Sequence, residues 1–256
     1  MAIRTEIGDD GIAVVTLARA ERRNALTTAM LVELERVADS FREAGDVRAV
    51  VLCSDGPDFS VGMDLAEMEA ARPPAEVLRR IARQGMRTMR AWMEIDQPTV
   101  CALAGIATGG GACLATACDF RVASPDLRLG YGEVKLGINL MWHALGPVVA
   151  LIGPARAKRL VMRGDLVPAD QLADWGLVDE VSESPLSAAQ AMAQAYAALP
   201  PIAVQMVKRS VNALAHALSA PVLHADTDQW LLATTMPEHR AALAAFRTRR
   251  KPARDA

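Results

Sequence analysis

Apolar positions along this chain follow two rhythms. Unbroken runs such as Ile12-Ala13-Val14-Val15-Thr16-Leu17 and Ala49-Val50-Val51-Leu52-Cys53 have strand length and suit a sheet buried on both faces. Between them Met30, Leu31, Leu34, Val37, Ala38 and Phe41 recur with helical period, behind Thr27 as a candidate N-cap. Strand, helix and strand in this order predict a right-handed parallel βαβ unit. Residues 55–62 are turn-rich, and a helical stretch over 64–71 is stopped by Pro73-Pro74. The pattern over 77–95 predicts a long helix, with Leu78, Ile81, Gly85 or Met86, Met89 and Trp92 on one face. Arg79, Arg83, Arg87 and Arg90 fall on the other face, which reads as solvated or as a contact for an anion or a second subunit.

Residues 98–104 predict a further strand that runs into Gly105-Ile106-Ala107-Thr108 and then Gly109-Gly110-Gly111. The small residues 112–117 predict a closely packed helix, and 120–123 a short strand. Helical patterns follow over 154–162, 169–175 and 188–198, with a strand-like interlude at 176–181. Pro200-Pro201 marks a boundary, beyond which 202–218 and 221–246 read as almost wholly helical. The expectation is an α/β core over 1–199 and a helical region over 200–256.

Composition narrows the function classes. The 256 residues carry 28 basic and 30 acidic side chains for a net charge of −2, and no long basic run, which argues against a nucleic-acid partner. No stretch is apolar for long enough to span a bilayer, and the opening residues Met1-Ala2-Ile3-Arg4 lack a signal core, so no membrane partner and a cytoplasmic location are expected. Cys53, Cys101, Cys113 and Cys118 lie in apolar stretches without a C-x-x-C pair, which predicts buried thiols in a reducing compartment. His143, His216, His224 and His239 have no metal-ligand spacing, and no metal is expected.

The candidate chemistry sits in two loops and one carboxylate. Phe59-Ser60-Val61-Gly62-Met63-Asp64-Leu65 and Thr108 to Gly111 each set glycine beside a helix start, where N–H groups lack intrahelical partners. Two such groups aimed at one point form an oxyanion hole. Glu133, the solitary carboxylate downstream, would move the proton. Gly109-x-Gly111 begins like a dinucleotide fingerprint, but Leu114 stands at the third glycine position, so a nicotinamide site is rejected. Ser60 lies near the first loop, with no histidine placed by sequence to activate it.

In order and spacing, these segments resemble the crotonase (enoyl-CoA hydratase/isomerase) family over nearly the whole chain. The resemblance rests on residues 15–26, 59–68, 104–119, Gly130-Tyr131-Gly132-Glu133-Val134-Lys135-Leu136-Gly137, 164–178 and the C-terminal 245–252. It implies a spiral of ββα units followed by helices that build a trimer or a dimer of trimers. It also implies an acyl-CoA thioester substrate, with coenzyme A part of the substrate and no separate cofactor.

Residue by residue, the resemblance implies hole donors at the backbone N–H groups of Met63 and Gly110, and Glu133 as the acid/base. Arg22, Arg23 and Ala25 would lie near the nucleotide or pantetheine, and Phe246 and Arg249 would reach coenzyme A on a neighbouring subunit. Asp64, Leu65, Tyr131 and Trp142 would contact substrate. Cys113 occupies the position at which hydratases of the family carry a second glutamate, and a buried thiol cannot replace a carboxylate. A single-acid reaction, double-bond isomerisation, fits better than two-carboxylate water addition. Hydration with water held by another group, with Tyr131 or His143 as helper, stays open. So do another reaction of the family, such as decarboxylation, dehalogenation or C–C cleavage, and a non-catalytic acyl-CoA-binding role.

Overall fold

The structure, a computed structural model, describes residues 2–42, 44–67, 74–217, 219 and 225–250, without the side chains of Ala75, Arg249 and Arg250. Its strands are Ile3–Ile7 (β1), Ile12–Leu17 (β2), Ala49–Ser54 (β3), Thr99–Leu103 (β4), Ile106–Thr108 (β5), Phe120–Ala123 (β6), Arg128–Gly130 (β7), Val167–Pro168 (β8) and Glu180–Val181 (β9). Its α-helices are Thr28–Ser40 (α1), Ala75–Met93 (α2), Gly110–Ala117 (α3), Leu145–Arg163 (α4), Ala169–Trp175 (α5), Pro185–Ala197 (α6), Pro201–His216 (α7), Asp226–Thr235 (α8) and Pro237–Arg250 (α9).

The main sheet runs β1-β2-β3-β4-β6-β9, antiparallel only at its β1–β2 edge. Alternation along β3 divides its side chains between two cores. Val50 and Leu52 join the large core with Leu31, Leu34 and Trp92, while Ala49, Val51 and Cys53 face Ala189 and Ala193 of α6. The small residues of α6 let it lie close over that second face, where Tyr196 stacks on Phe120 at 4.9 Å between ring centroids. Thr27 caps α1 by accepting a hydrogen bond from the Met30 N–H, and Met30, Leu31, Leu34, Val37 and Ala38 form its buried stripe.

Two features depart from the sequence pattern. β1 has four exposed residues out of five and no apolar alternation to reveal it. A second sheet, β5-β7-β8, is built from strands of two or three residues, too short to carry a period. The C-terminal helical stretch is also divided: Met236 leaves helical geometry, and Pro237 opens α9. Residues 68–71 of the expected 64–71 helix and residues 221–224 lie outside the described set.

Arg121 on β6 is buried at 1% exposure and donates to the carbonyls of Leu177, Cys118 and Asp119 and to the Asp179 carboxylate. It thereby ties the β6 end of the sheet to the turn before β9, and its charge is both paired and fully hydrogen-bonded.

Candidate active site

The site is assembled by the small sheet. Ser60 bridges to Ala107 of β5: the Ser60 N–H donates to Ile106 O, and the Thr108 N–H donates to Ser60 O. β5 in turn pairs in parallel with β7, Thr108 opposite Gly130. Three chain segments therefore run side by side, and their ends deliver Met63, Gly110 and Glu133 to one place.

Gly62 makes the approach possible. It holds φ +84°, and a methyl built on it would come within 2.7 Å of Thr108 O and 3.2 Å of Gly110 N. The Gly62 backbone thus rests against the start of α3. Neither the Met63 nor the Gly110 N–H donates to a carbonyl in the described turns and loops. Gly110 is the first residue of α3, so its N–H also lacks an intrahelical acceptor.

Glu133 begins a 3-10 turn, Glu133–Leu136, directly after β7. Its carboxyl packs on bare backbone: a methyl on Gly109 would lie 3.2 Å from Glu133 Oε1. Oε2 is buried without a hydrogen-bond partner. Burial raises the Glu133 pKa from 4.5 to about 7, opposed in part by a backbone hydrogen bond. The carboxyl is consequently poised to take or give a proton near neutrality. The turn is braced from outside by α9: His239 Nδ1 lies 2.6 Å from Leu136 O, and since a carbonyl only accepts, this nitrogen carries the proton.

A cavity of about 750 Å³ opens over these groups. Met63, Leu65, Gly110, Cys113, Glu133 and Trp142 line it, together with Leu78 and Ile81 of α2, Trp230 of α8 and Leu243 and Phe246 of α9. Its volume suits a drug-sized organic group. Cys113 is held far above the ordinary thiol pKa by burial and by the nearby Glu133 charge, so it stays a neutral thiol.

Several expected site residues stand elsewhere. Tyr131, the residue after β7, is wholly buried outside the cavity lining, its hydroxyl 3.1 Å from Thr116 Oγ1 of α3. The Asp64 carboxylate does not face the cavity. It accepts from Arg19 at 2.7 Å and from the Ala66 and Glu67 N–H groups, fixing the loop that carries Met63. Phe246 lines the cavity of its own chain, where α9 folds back over the Glu133 turn. The Arg249 side chain lies outside the described set.

Arg22 and Arg23 are exposed and do not line the cavity, and Arg23 pairs with Asp58 at 2.6 Å. Ala25 is half-buried, its carbonyl accepting from Arg19. His143 lines a separate hollow with Arg83 and His216.

Asn24 was invisible in the sequence pattern. Fully buried, it donates to Asp55 O and Asp58 O, accepts from the Arg19 N–H, and takes a hydrogen bond from Ser60 Oγ on its own carbonyl. Ser60 is thereby committed to structure. No local signal separates such an asparagine from an ordinary turn residue, because the carbonyls to which its amide donates lie more than thirty positions away.

A model of the family described as enoyl-CoA hydratase/isomerase matches residues 8–255. Among curated relatives, an enoyl-CoA isomerase/hydratase (fer4) of Mycosarcoma maydis is 31% identical over 94% of this chain and 92% of its own. A short-chain-enoyl-CoA hydratase of Clostridium acetobutylicum is 31% identical over 78% of this chain and 77% of its own. The crystal structure of an enoyl-CoA hydratase/isomerase from Xanthobacter autotrophicus Py2 superimposes with a TM-score of 0.86 at 29% identity, covering 99% of each chain.

Proposed function

The chain belongs to the enoyl-CoA hydratase/isomerase family, and on that premise we propose that it moves a carbon–carbon double bond between the 3- and 2-positions of an enoyl-CoA thioester. The observation that carries this reading is Glu133, the one carboxyl lining the cavity among the described residues, beside paired backbone donors and near a thiol that burial keeps neutral.

The thioester carbonyl oxygen accepts from the Met63 and Gly110 N–H groups. Charge that develops on this oxygen in the enolate is stabilised there, also by the positive end of α3. Glu133 removes the proton from C2, and the C2–H electron pair forms the C1–C2 double bond of a dienolate as the carbonyl π pair moves onto the oxygen. When that pair returns, the C1–C2 π pair becomes the C2–C3 double bond and the C3–C4 π pair moves to C4 to take up a proton. Glu133 then returns the proton to C4. The proton is conserved on one carboxyl, nothing is oxidised, and coenzyme A remains attached throughout. No cofactor is needed.

Incubating 3-enoyl and 2-enoyl thioesters with the protein and following the product by NMR tests this. Interconversion of the two enoyl isomers without 3-hydroxyacyl product is expected, and 3-hydroxyacyl product alone overturns the assignment. Hydration is the second reading, favoured by the hydratases among the relatives, and requires a water positioned by a group other than Cys113.

The same proposal includes self-association as a trimer or dimer of trimers. Helix α7 supports it, because Ile202, Met206, Val207, Val211 and Leu214 are all more than half exposed along it. Sedimentation equilibrium is expected to give three or six chains, and a monomer at micromolar concentration refutes that part. Four buried cysteines without a disulfide support a reducing compartment such as the cytoplasm. Among the described residues no helix is long and apolar enough to cross a membrane.

A further inference from the structure

Trp142 of the cavity wall is held by its backbone and by its packing. It and His143 both hold left-handed backbone, at φ 62° and 60°, a conformation that costs bulky residues free energy and persists only where the surroundings enforce it. Its indole N–H is buried without a hydrogen-bond partner, a second cost at the same residue.

What holds the ring is a slot made by two glycines. A methyl built on Gly85, in the middle of α2, would overlap Trp142 Cε2, Nε1 and Cδ1. One built on Gly110, at the start of α3, would overlap Cζ3 and Cη2. The pyrrole edge therefore beds on α2 and the tip of the six-membered ring on the hole-forming residue itself. The ring closes the gap between the two helices, and the free volume that remains lies ahead of it, toward Leu78, Ile81, Trp230 and Leu243.

We propose that Trp142, seated in the Gly85–Gly110 slot, is the residue that sets acyl-chain specificity: it stops the acyl group from passing between α2 and α3 and selects apolar chains short enough to fit the chamber under α8 and α9. The proposal rests on the acyl-thioester reading of this cavity. Apolar walls discriminate chain length by contact alone, and one methylene more or less changes affinity by about tenfold or more.

Two variants move the wall in opposite directions. Trp142→Ala empties the slot and extends the chamber into it. Gly85→Ala puts a methyl where the indole lies and drives the ring forward, while alanine favours the helix that carries it. Calorimetric titration with butyryl-, octanoyl- and palmitoyl-CoA, which are saturated and bind without reacting, reads the profile independently of turnover.

The palmitoyl-to-butyryl affinity ratio is expected to rise at least about tenfold in Trp142→Ala and to fall in Gly85→Ala. Should Trp142→Ala not fold, the Gly85→Ala profile decides by itself. Wild-type ratios in every folded variant overturn the assignment while leaving the acyl-thioester reading intact. Absence of binding by the wild type for all three thioesters overturns that reading, and this one with it.

Discussion

Replacement of Glu133 by glutamine lowers kcat for double-bond migration by about 10²–10⁴-fold, the contribution of a positioned general acid/base. At the same time it makes the protein harder to unfold at pH 8. Both effects have one cause. The wild-type carboxyl is buried with an unpartnered oxygen, and its pKa stands at about 7 rather than 4.5. A carboxyl whose folded pKa is raised holds a proton that the unfolded chain has already lost. Stability therefore falls as pH climbs from 4.5 to about 7. Above that window the ionised group costs about 3 kcal/mol.

Glutamine cannot ionise, so the stability difference between variant and wild type should be smallest near pH 4.5 and largest above pH 7. Denaturant titrations at the two ends of the window measure it. In the wild type kcat/KM should rise with pH and reach half its plateau near 7, since the base must be deprotonated in the free enzyme. Undiminished turnover in Glu133→Gln, or a pH-independent stability difference, refutes the role given to this carboxyl.

Gly62→Ala is expected to lower kcat by about 10²–10³-fold, the loss that follows removal of one oxyanion-hole donor. The added methyl meets Thr108 O at 2.7 Å and Gly110 N at 3.2 Å. Both are backbone atoms that cannot swing aside, so the Met63 and Gly110 donors must separate. Strain at a positive φ would destabilise the protein as well, and a matched control isolates that part. Gly176 holds the same φ of +84°, but its nearest neighbour, Leu151 O, is at an ordinary 3.7 Å. Gly176→Ala should thus lower the melting temperature and largely spare turnover. If both alanine variants lose activity equally, strain rather than hole geometry explains the effect. Affinity for a saturated acyl-CoA should change less than kcat in Gly62→Ala, because the hole matters most when charge develops.

Much of this architecture was legible in the chain, and the physical reasons are specific. β2, β3 and β4 are buried on both faces and so appear as unbroken apolar runs, and α1 declares itself by its stripe and by Thr27. The glycine run and Glu133 were readable as a pair. What made them neighbours was not, because β5 and β7 are three-residue strands whose pairing leaves no period in the sequence. Tyr131 was expected to contact substrate, yet it follows the end of β7 and is wholly buried, its hydroxyl against Thr116 of α3, while Glu133 opens the next turn and lines the cavity. Trp142 was readable as bulky and apolar, but no rule predicts a tryptophan at positive φ. Only the two distant glycines explain why it stays there.

The small sheet also separates two kinds of inheritance. Met63, Gly110 and Glu133 hang from adjacent strand ends, where hydrogen bonding sets a repeat of about 4.8 Å that side-chain substitution scarcely alters. The far end of the chamber belongs to α2, α8 and α9, held by side-chain packing that can be redrawn one residue at a time. Such a molecule can exchange its cargo without touching its chemistry: descendants would drift in the helices and stay fixed along the strands.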